Sequence, residues 1–341
     1  MSRAVITTIV TAMALLLSPA VTSAQAARSA AGLEVTWFAI PPPASGPTTL
    51  ALGNDDTVWF TLGSGNAIGH LDAASGSMRI FPLPHPDSGP RVISLGSDGA
   101  LWFSEHEGNR IGRITADGTV SEFPLPTPGS QPRAVALGAD SNIWVGLFGV
   151  SMLARITPDG IITEFSLPTA DSGPRAIAAG ADGAIWYSAF RADRIGRIAT
   201  SGEVTEFPLP QPGSGPGDMT VDGDGNIWFL QLAGEMDGRR VTGNRIGRIT
   251  PAGALREYTL PTAGPSPINI AMGPDRNIWY TRGNRLGRVT PAGEITEFEV
   301  AKRAFTVGLT AGSDRQPPQR LRDRLWFTDV LNNRIGFIRI D

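Results

Sequence analysis

The sequence predicts an all-β fold, a seven-bladed β-propeller of four-stranded antiparallel blades, and three observations carry that expectation. A unit near 42 residues recurs seven times. Each unit breaks into four short runs with strand character. The last unit stops after its third run, and an orphan fourth run stands near the start of the chain. Tryptophan marks the period, at Trp59, Trp102, Trp144, Trp186, Trp228, Trp279 and Trp326, with intervals of 43, 42, 42, 42, 51 and 47 residues. Four antiparallel strands in a repeat of this length are the signature of a propeller blade.

The second unit shows the elements in order. "RVISLG" (91–96) reads as a first strand, followed by a Ser-Asp-Gly turn. "ALWFSE" (100–105) is the second, followed by a loop that ends at Asn109. "RIGRIT" (110–115) is the third, closed by an Ala-Asp-Gly turn. "VSEFPLP" (120–126) is the fourth, before a Pro/Gly/Ser linker. The runs are short, rich in Ile, Val, Trp, Phe and Thr, and bounded by Asp-Gly or Pro-Gly punctuation, which are strand and hairpin signals. At the ends, "LEVTWFAIPPPASGP" (33–47) matches "GEVTEFPLPQPGSGP" (202–216). Residues 34–40 are therefore expected to complete the seventh blade beside 334–340. Such closure removes exposed sheet edges, whereas an open solenoid would keep two and would call for capping repeats.

Composition narrows the setting. Arg3 precedes an apolar run from Ala4 to about Leu17, and Ala24-Gln25-Ala26 forms a small-x-small site, so residues 1–26 read as a secretory signal peptide and 33–341 as one propeller domain. The expected location is secreted, periplasmic or extracellular. There is no Cys, so packing and hydrogen bonds alone must hold the fold, and cysteine zinc sites are excluded. Removing residues 1–26 takes away Arg3 and no acid, which leaves 28 basic and 32 acidic residues and a net charge of −4. That balance argues against nucleic acid as a partner.

Propeller geometry brings the linker between blades and the loop between second and third strands to one face, here called the top. The positions just after the linker proline are Thr48, Arg91, Arg133, Arg175, Gly217, Ile268 and Val307. Arg91, Arg133 and Arg175, on successive blades, suit a carboxylate, phosphate or acidic sugar. They equally suit ion pairs with Glu105 and Asp218 that join blades. Three residues beyond each marker Trp stand Leu62, Glu105, Leu147, Ala189, Gln231, Arg282 and Asp329. Glu105, His106 and Arg282 join the arginine trio as expected ligand-binding residues. The run Glu105-His106-Glu107 is dense in titratable groups, but Glu105 fills a recurrent slot and only His106 and Glu107 are particular to this copy. A solvated loop is the plain reading. The fifth unit's longer loop, "QLAGEMDGRRVTGN", is a lid or partner contact or a tolerated insertion. The seventh unit's insertion, 313–324, is expected on the bottom face. "DGDGN" (222–226) has calcium-loop spacing, but Ile227 replaces the required Gly, so it reads as a hairpin turn.

The repeated pattern P-x-x-I-x-x-G-x-D-G-x-x-W-F-T-E…N-x-I-G-R-I-T-x-x-G-x-I-T-E-F-x-L-P-T-P resembles that of the virginiamycin B lyase family, also called streptogramin lyases, over residues 33–341. The resemblance implies a seven-bladed propeller. In active members it implies Mg²⁺-assisted elimination that opens the ester of a cyclic depsipeptide, at a site on the top face of the last two blades. Those members carry a His after the linker proline of the sixth blade, Glu-Pro-His-Gly at the start of the seventh, and a metal-binding Glu in the seventh blade's second-to-third loop. Here the corresponding residues are Ile268, Phe305-Thr306-Val307-Gly308 and, for the loop Glu, Asp329 or Val330. Asp329 alone could hold a metal, and no catalytic residue is assigned.

The expected function is a secreted, non-catalytic binding module, monomeric, using its top face for a small or peptidic ligand, anionic if the arginine trio is free. An envelope protein is the alternative partner. The alternative activity is the Mg²⁺-dependent lyase, the one reading that brings Mg²⁺ as a cofactor.

Overall fold

The computed structural model describes residues 20–21, 25–28, 34–43, 45–236, 238–261, 264–311 and 321–340. Residues 1–19 and 22–24 of the expected signal peptide and 313–320 of the seventh-blade insertion lie outside them. Among the described residues there is no α-helix; seven antiparallel sheets carry the fold. Blade 1 spans residues 47–82. Blade 2 contains Pro90–Leu95, Leu101–Glu105, Arg110–Ile114 and Val120–Pro124. Blades 3 to 6 span 132–166, 174–208, 216–259 and 270–299. Blade 7 takes Thr306–Ala311, Arg324–Asp329 and Arg334–Arg339 from the end of the chain and Glu34–Ala39 from its beginning. The last pair runs antiparallel from Val35↔Ile338 to Ala39↔Arg334, the closure that the repeat predicts. Two short strands extend the outer edges at this seam: Ala20–Val21 on blade 1 and Gln25–Arg28 on blade 7.

The repeat's invariants have a common physical basis. Each marker Trp is at most 2% exposed. Its indole stacks on an aromatic of the outer strand at 5.2–6.0 Å between ring centres, from Trp102 on Phe123 to Trp326 on Phe38. In five blades the indole Nε1 donates to the aspartate of the turn before it, as Trp102 does to Asp98 at 3.2 Å. The arginine of "IGR" then closes on that aspartate: Arg113 to Asp98 and Arg197 to Asp182 both lie at 2.6 Å. The "DGDGN" turn follows the same rule, with Asp222 accepting from Asn226 and Trp228. The core is seven wedges between neighbouring blades, such as Trp102, Ile111 and Phe123 against Val135, Ile143 and Val145.

Blades are joined near their top edges. The inner strand carries a register irregularity in six of the seven blades, just after the linker proline in five and after Thr306 in blade 7. The carbonyl freed there accepts a hydroxyl from the preceding blade: Thr61 to Arg91 O at 2.7 Å, Ser104 to Arg133 O at 3.2 Å, Thr281 to Val307 O at 2.8 Å. Thr328 does the same to Thr48 O at 3.0 Å, so the seam between blades 7 and 1 is bonded like the others.

Gly112 of "IGR" shows how tightly a blade is layered. The Phe103 ring lies flat over it, and a Cβ added at Gly112 would stand 2.1 Å from Phe103 Cζ. Gly112→Ala is expected to lower stability by about 1–3 kcal/mol through overpacking, read as a fall in urea midpoint. An unchanged midpoint would show that the layer yields freely.

Candidate functional site

The top face is built where each linker enters an inner strand. In blades 2, 3 and 4 the ladder passes over Arg91, Arg133 and Arg175: the register steps from Pro90 to Ile93, from Pro132 to Ala134 and from Pro174 to Ala176. The three arginines are thus residues of β-bulges, which re-aim side chains out of a sheet. The residue that follows the second strand in the same blades is His106, Phe148 and Phe190. The guanidinium carbon of Arg133 lies 5.0 Å from the Phe148 ring centre, and that of Arg175 lies 5.0 Å from Phe190. Arg191, paired with exposed Asp171 at 2.9 Å, covers Phe148 at 4.2 Å. Both phenylalanines are buried, as is His106.

His106 Nδ1 lies 3.2 Å from Pro132 O. Burial first, then the charge of Arg91, lowers its pKa, so the ring is neutral at neutral pH. Arg91 meets Glu107 loosely, at 3.8 Å, and Glu107 is 59% exposed. Asp218, on blade 5 beside Arg175, accepts the Ile270 amide at 2.9 Å; burial pushes its carboxyl up to about 6, against the pull of the Ile270 and Met219 amides and of Arg175.

The residue three beyond each marker Trp, which ends the second strand in every blade but the fifth, lies one layer deeper than the rim where the repeat alone would set it. Leu62, Glu105, Leu147, Ala189, Gln231 and Asp329 have no exposed surface, and Arg282 has 2%. In five blades this slot lies near the glutamate of "T-E-F" or its equivalent. Arg282 bonds Glu297 at 2.9 Å, with Pro265 O and Asn244 each at 2.8 Å, so its guanidinium is held inside the protein. Gln231 donates to Glu257. In blades 3 and 4 the slot is apolar and the linker supplies the donor, Thr127 to Glu164 at 2.6 Å and Thr169 to Glu206.

Blade 2 departs from this column. Its slot is Glu105, its outer-strand acid is Glu122, and its linker residue is His85, whose Nδ1 bonds Glu122 Oε2. Neither oxygen of Glu105 has a hydrogen-bond partner; Arg110 stands 3.8 Å away, and the Ser88 hydroxyl donates to His85 O instead. Burial, then the charge of Glu122, pushes Glu105 up to about 7. Glu105 therefore sits beneath His106 and does not share its rim.

The lid-like segment of blade 5 is strand, resumed after a register shift between Gln231 and Ala233. Ile227–Met236 and Arg239–Ile249 continue their pairing upward, through Ala233↔Thr242 to Met236↔Arg239. Leu232 and Val241 anchor the arm against Phe148 and Phe190. A second concavity, about 520 Å³, lies along the channel and is lined by inner-strand residues such as Leu52, Leu95, Leu137, Val221 and Met272.

Over blades 6 and 7, Ile268 and Val307 are half-buried and Phe305 is exposed. Asp329 is fully engaged: Oδ1 accepts the Phe305 amide at 3.0 Å, and Oδ2 takes Asn332 at 2.7 Å and Arg334 at 2.9 Å. A divalent cation of the kind the resemblance implies needs several oxygen ligands. The residues present do not fit it, because the one carboxylate is already neutralised. Among the described residues no three His, Asp or Glu converge as metal ligands.

The aromatic shelf and the Glu105–Glu122 pair were not anticipated from sequence. The shelf had a signal: His106, Phe148 and Phe190 occupy one column of the repeat, directly after the slot that was tabulated. The pair had a weaker one, since Glu105 and Glu122 are each unremarkable members of their columns.

A family model for virginiamycin B lyases matches residues 11–242 and 234–341. The selenomethionine form of virginiamycin B lyase from Staphylococcus aureus superposes with a TM-score of 0.81 at 32% identity, over 90% of this chain and 99% of that one. A streptogramin B lyase gives 0.80 at 33%, over 90% and 97%. A catalytically inactive histidine-to-alanine variant of the S. aureus enzyme, solved with quinupristin, gives 0.80 at 31%, over 90% and 99%. No curated protein sequence matches.

The buried acid makes a pH prediction. The folded chain holds the Glu105 proton up to about 7, whereas the ordinary value is 4.5. Between those values the folded state binds more protons, so stability is lost as pH rises through about 7, by up to about 3 kcal/mol. Glu105→Gln is expected to shrink the decline in melting temperature between pH 5 and 8, leaving the part that Asp218, raised to about 6, contributes at the acid end. A decline of the same size in the variant would assign it elsewhere.

Proposed function

This chain belongs to the virginiamycin B lyase family, and from that premise we propose that it is an exported propeller that binds a small or peptidic ligand on its top face without performing the family's elimination. Elimination across an ester needs a base to take the proton and a group to stabilise the charge that develops. The observation that carries the proposal is the chemistry at the positions the family uses. Ile268, Phe305 and Val307 hold no titratable group, and Asp329 is bound to Phe305, Asn332 and Arg334. None of them can accept a proton or a cation as it stands.

What those residues offer is contact. Phe305 is 39% exposed and Leu331 is 67% exposed. The two are neighbours, since the Val330 amide bonds Phe305 O at 3.1 Å. Exposed apolar side chains on a rigid face are suited to binding. Residues 1–26 supply the route of export in this reading. A lyase remains the second reading, favoured by 31–33% identity to solved lyases over nine-tenths of the chain; it would need a base and a cation site at new positions.

Incubation with a type B streptogramin and Mg²⁺, followed by mass spectrometry, is expected to leave the cyclic antibiotic intact. A linearised product that disappears with a chelator would overturn the proposal in favour of the lyase. Fractionation of expressing cells should place the protein outside the cytoplasm with Ala27 at its start; an intact Met1 form in the cytoplasm would remove export.

A further inference from the structure

We propose that removal of the signal segment and closure of the ring compete for one stretch of backbone: once blade 7 closes, the Ala26–Ala27 bond is shielded inside a β-ladder, so processing must come first. This rests on the export reading above, in which residues 1–26 are removed. The observation that carries it is the antiparallel pairing of Gln25–Arg28 with Glu34–Ala39, in the register Gln25↔Trp37, Ala26↔Thr36, Ala27↔Val35 and Arg28↔Glu34. The residues on both sides of the expected cut are thus members of one ladder. That ladder is the outer edge of the five-stranded sheet to which Arg334–Arg339 belongs. Ala20–Val21 pairs in turn with the outer strand of blade 1, as Ala20↔Met78 and Val21↔Ser77. The signal segment therefore holds the outer edges of the two blades that meet at the seam.

Hydrolysis adds water across the Ala26–Ala27 peptide bond, leaving a carboxylate on Ala26 and an ammonium on Ala27. A peptidase does this to a segment that it can lift out and hold in its own cleft, and backbone that is already paired must open first. How firmly the ladder is held depends on what lies behind it. Alone, residues 25–28 and 34–37 make a two-stranded hairpin, which is marginal in water. With the ring closed, the strand is also paired on its other side, from Val35↔Ile338 to Ala39↔Arg334. Val35 and Trp37 are then packed in the wedge against Trp279, at 0% and 5% exposure. The Trp37 ring meets Phe327 edge-on at 5.3 Å, and the Arg334 guanidinium carbon lies 3.7 Å from its centre. The partner strand of the scissile bond is thereby fixed from two directions. The bond is open to cleavage while Glu34–Ala39 waits for Arg334–Arg339, and shielded afterwards. Of the six pairs that the segment makes with blades 7 and 1, cleavage leaves only Ala27↔Val35 and Arg28↔Glu34, so processing also uncovers both outer edges.

The test uses the full precursor, residues 1–341, made without export and purified folded in mild detergent. A purified signal peptidase is offered this folded chain and, separately, the same chain as it is diluted from urea. Cleavage before Ala27 is expected to be at least about tenfold slower for the folded chain, because it waits on opening of the ladder. Hydrogen exchange read by mass spectrometry should show residues 25–28 protected in the folded precursor. Equal cleavage rates for the two forms, or exchange at 25–28 as fast as in the unfolded chain, overturns the proposal and leaves export standing. If neither form is cut before Ala27, the export reading fails and takes the proposal with it. The streptogramin assay bears on neither result.

Discussion

The contact on which the rest of this structure depends is an indole laid across an aromatic ring two strands away. It fixes the spacing of second and fourth strands, and in six blades the aromatic that follows the Trp faces a glycine of the third strand, whereas in blade 3 Val145 faces Ala154. Such pairs contribute about 0.5–1.5 kcal/mol beyond the area they bury. In blade 7 the partners, Trp326 and Phe38, come from opposite ends of the chain. Ring closure is therefore made by the contact that already holds every other blade together, and no disulfide is required.

A scaffold repeated seven times also supplies its own controls. The slot at the end of the second strand lies near an outer-strand glutamate in five blades, and what occupies it varies from leucine to alanine, glutamine, arginine and glutamate. Where a donor is missing from the slot, the linker provides Thr127 or Thr169. Blade 2 alone sets two carboxylates together, and its linker supplies His85. The burial of Glu105 raises the cost of charging it, so this blade carries a pH sensitivity of its own. The departure from a column, more than the column, is where individual properties arise.

Periodicity made the fold legible: strand limits in blade 2, the closure by residues 34–40 and the arginine register all follow from it. Depth was harder to read. Glu105 and Arg282 fall at a position that faces a loop in sequence and a packed interior in space, since the second strand runs on to its last residue before the chain turns. The arm of blade 5 reads as a loop because Gly and charged residues fill it, yet Leu232 and Val241 anchor it as strand. The family's chemistry was legible by its absence from Ile268, Phe305 and Val307, whereas the engagement of Asp329 by Arg334 required coordinates.

The fourth strand of blade 7 has a consequence in time as well as in space. Glu34–Ala39 leaves the ribosome before any blade exists, and its partner, Arg334–Arg339, leaves only after blades 1 to 6. Blades 1 to 6 can form from local pairings as they appear, but the final pairing spans nearly the whole chain and carries the largest loop-closure cost. Until those six blades have been made, Glu34–Ala39 has no partner strand in its own blade. The molecule is thus a chain of quickly made parts with one slow clasp, and its lifetime as an open ring is set by that clasp.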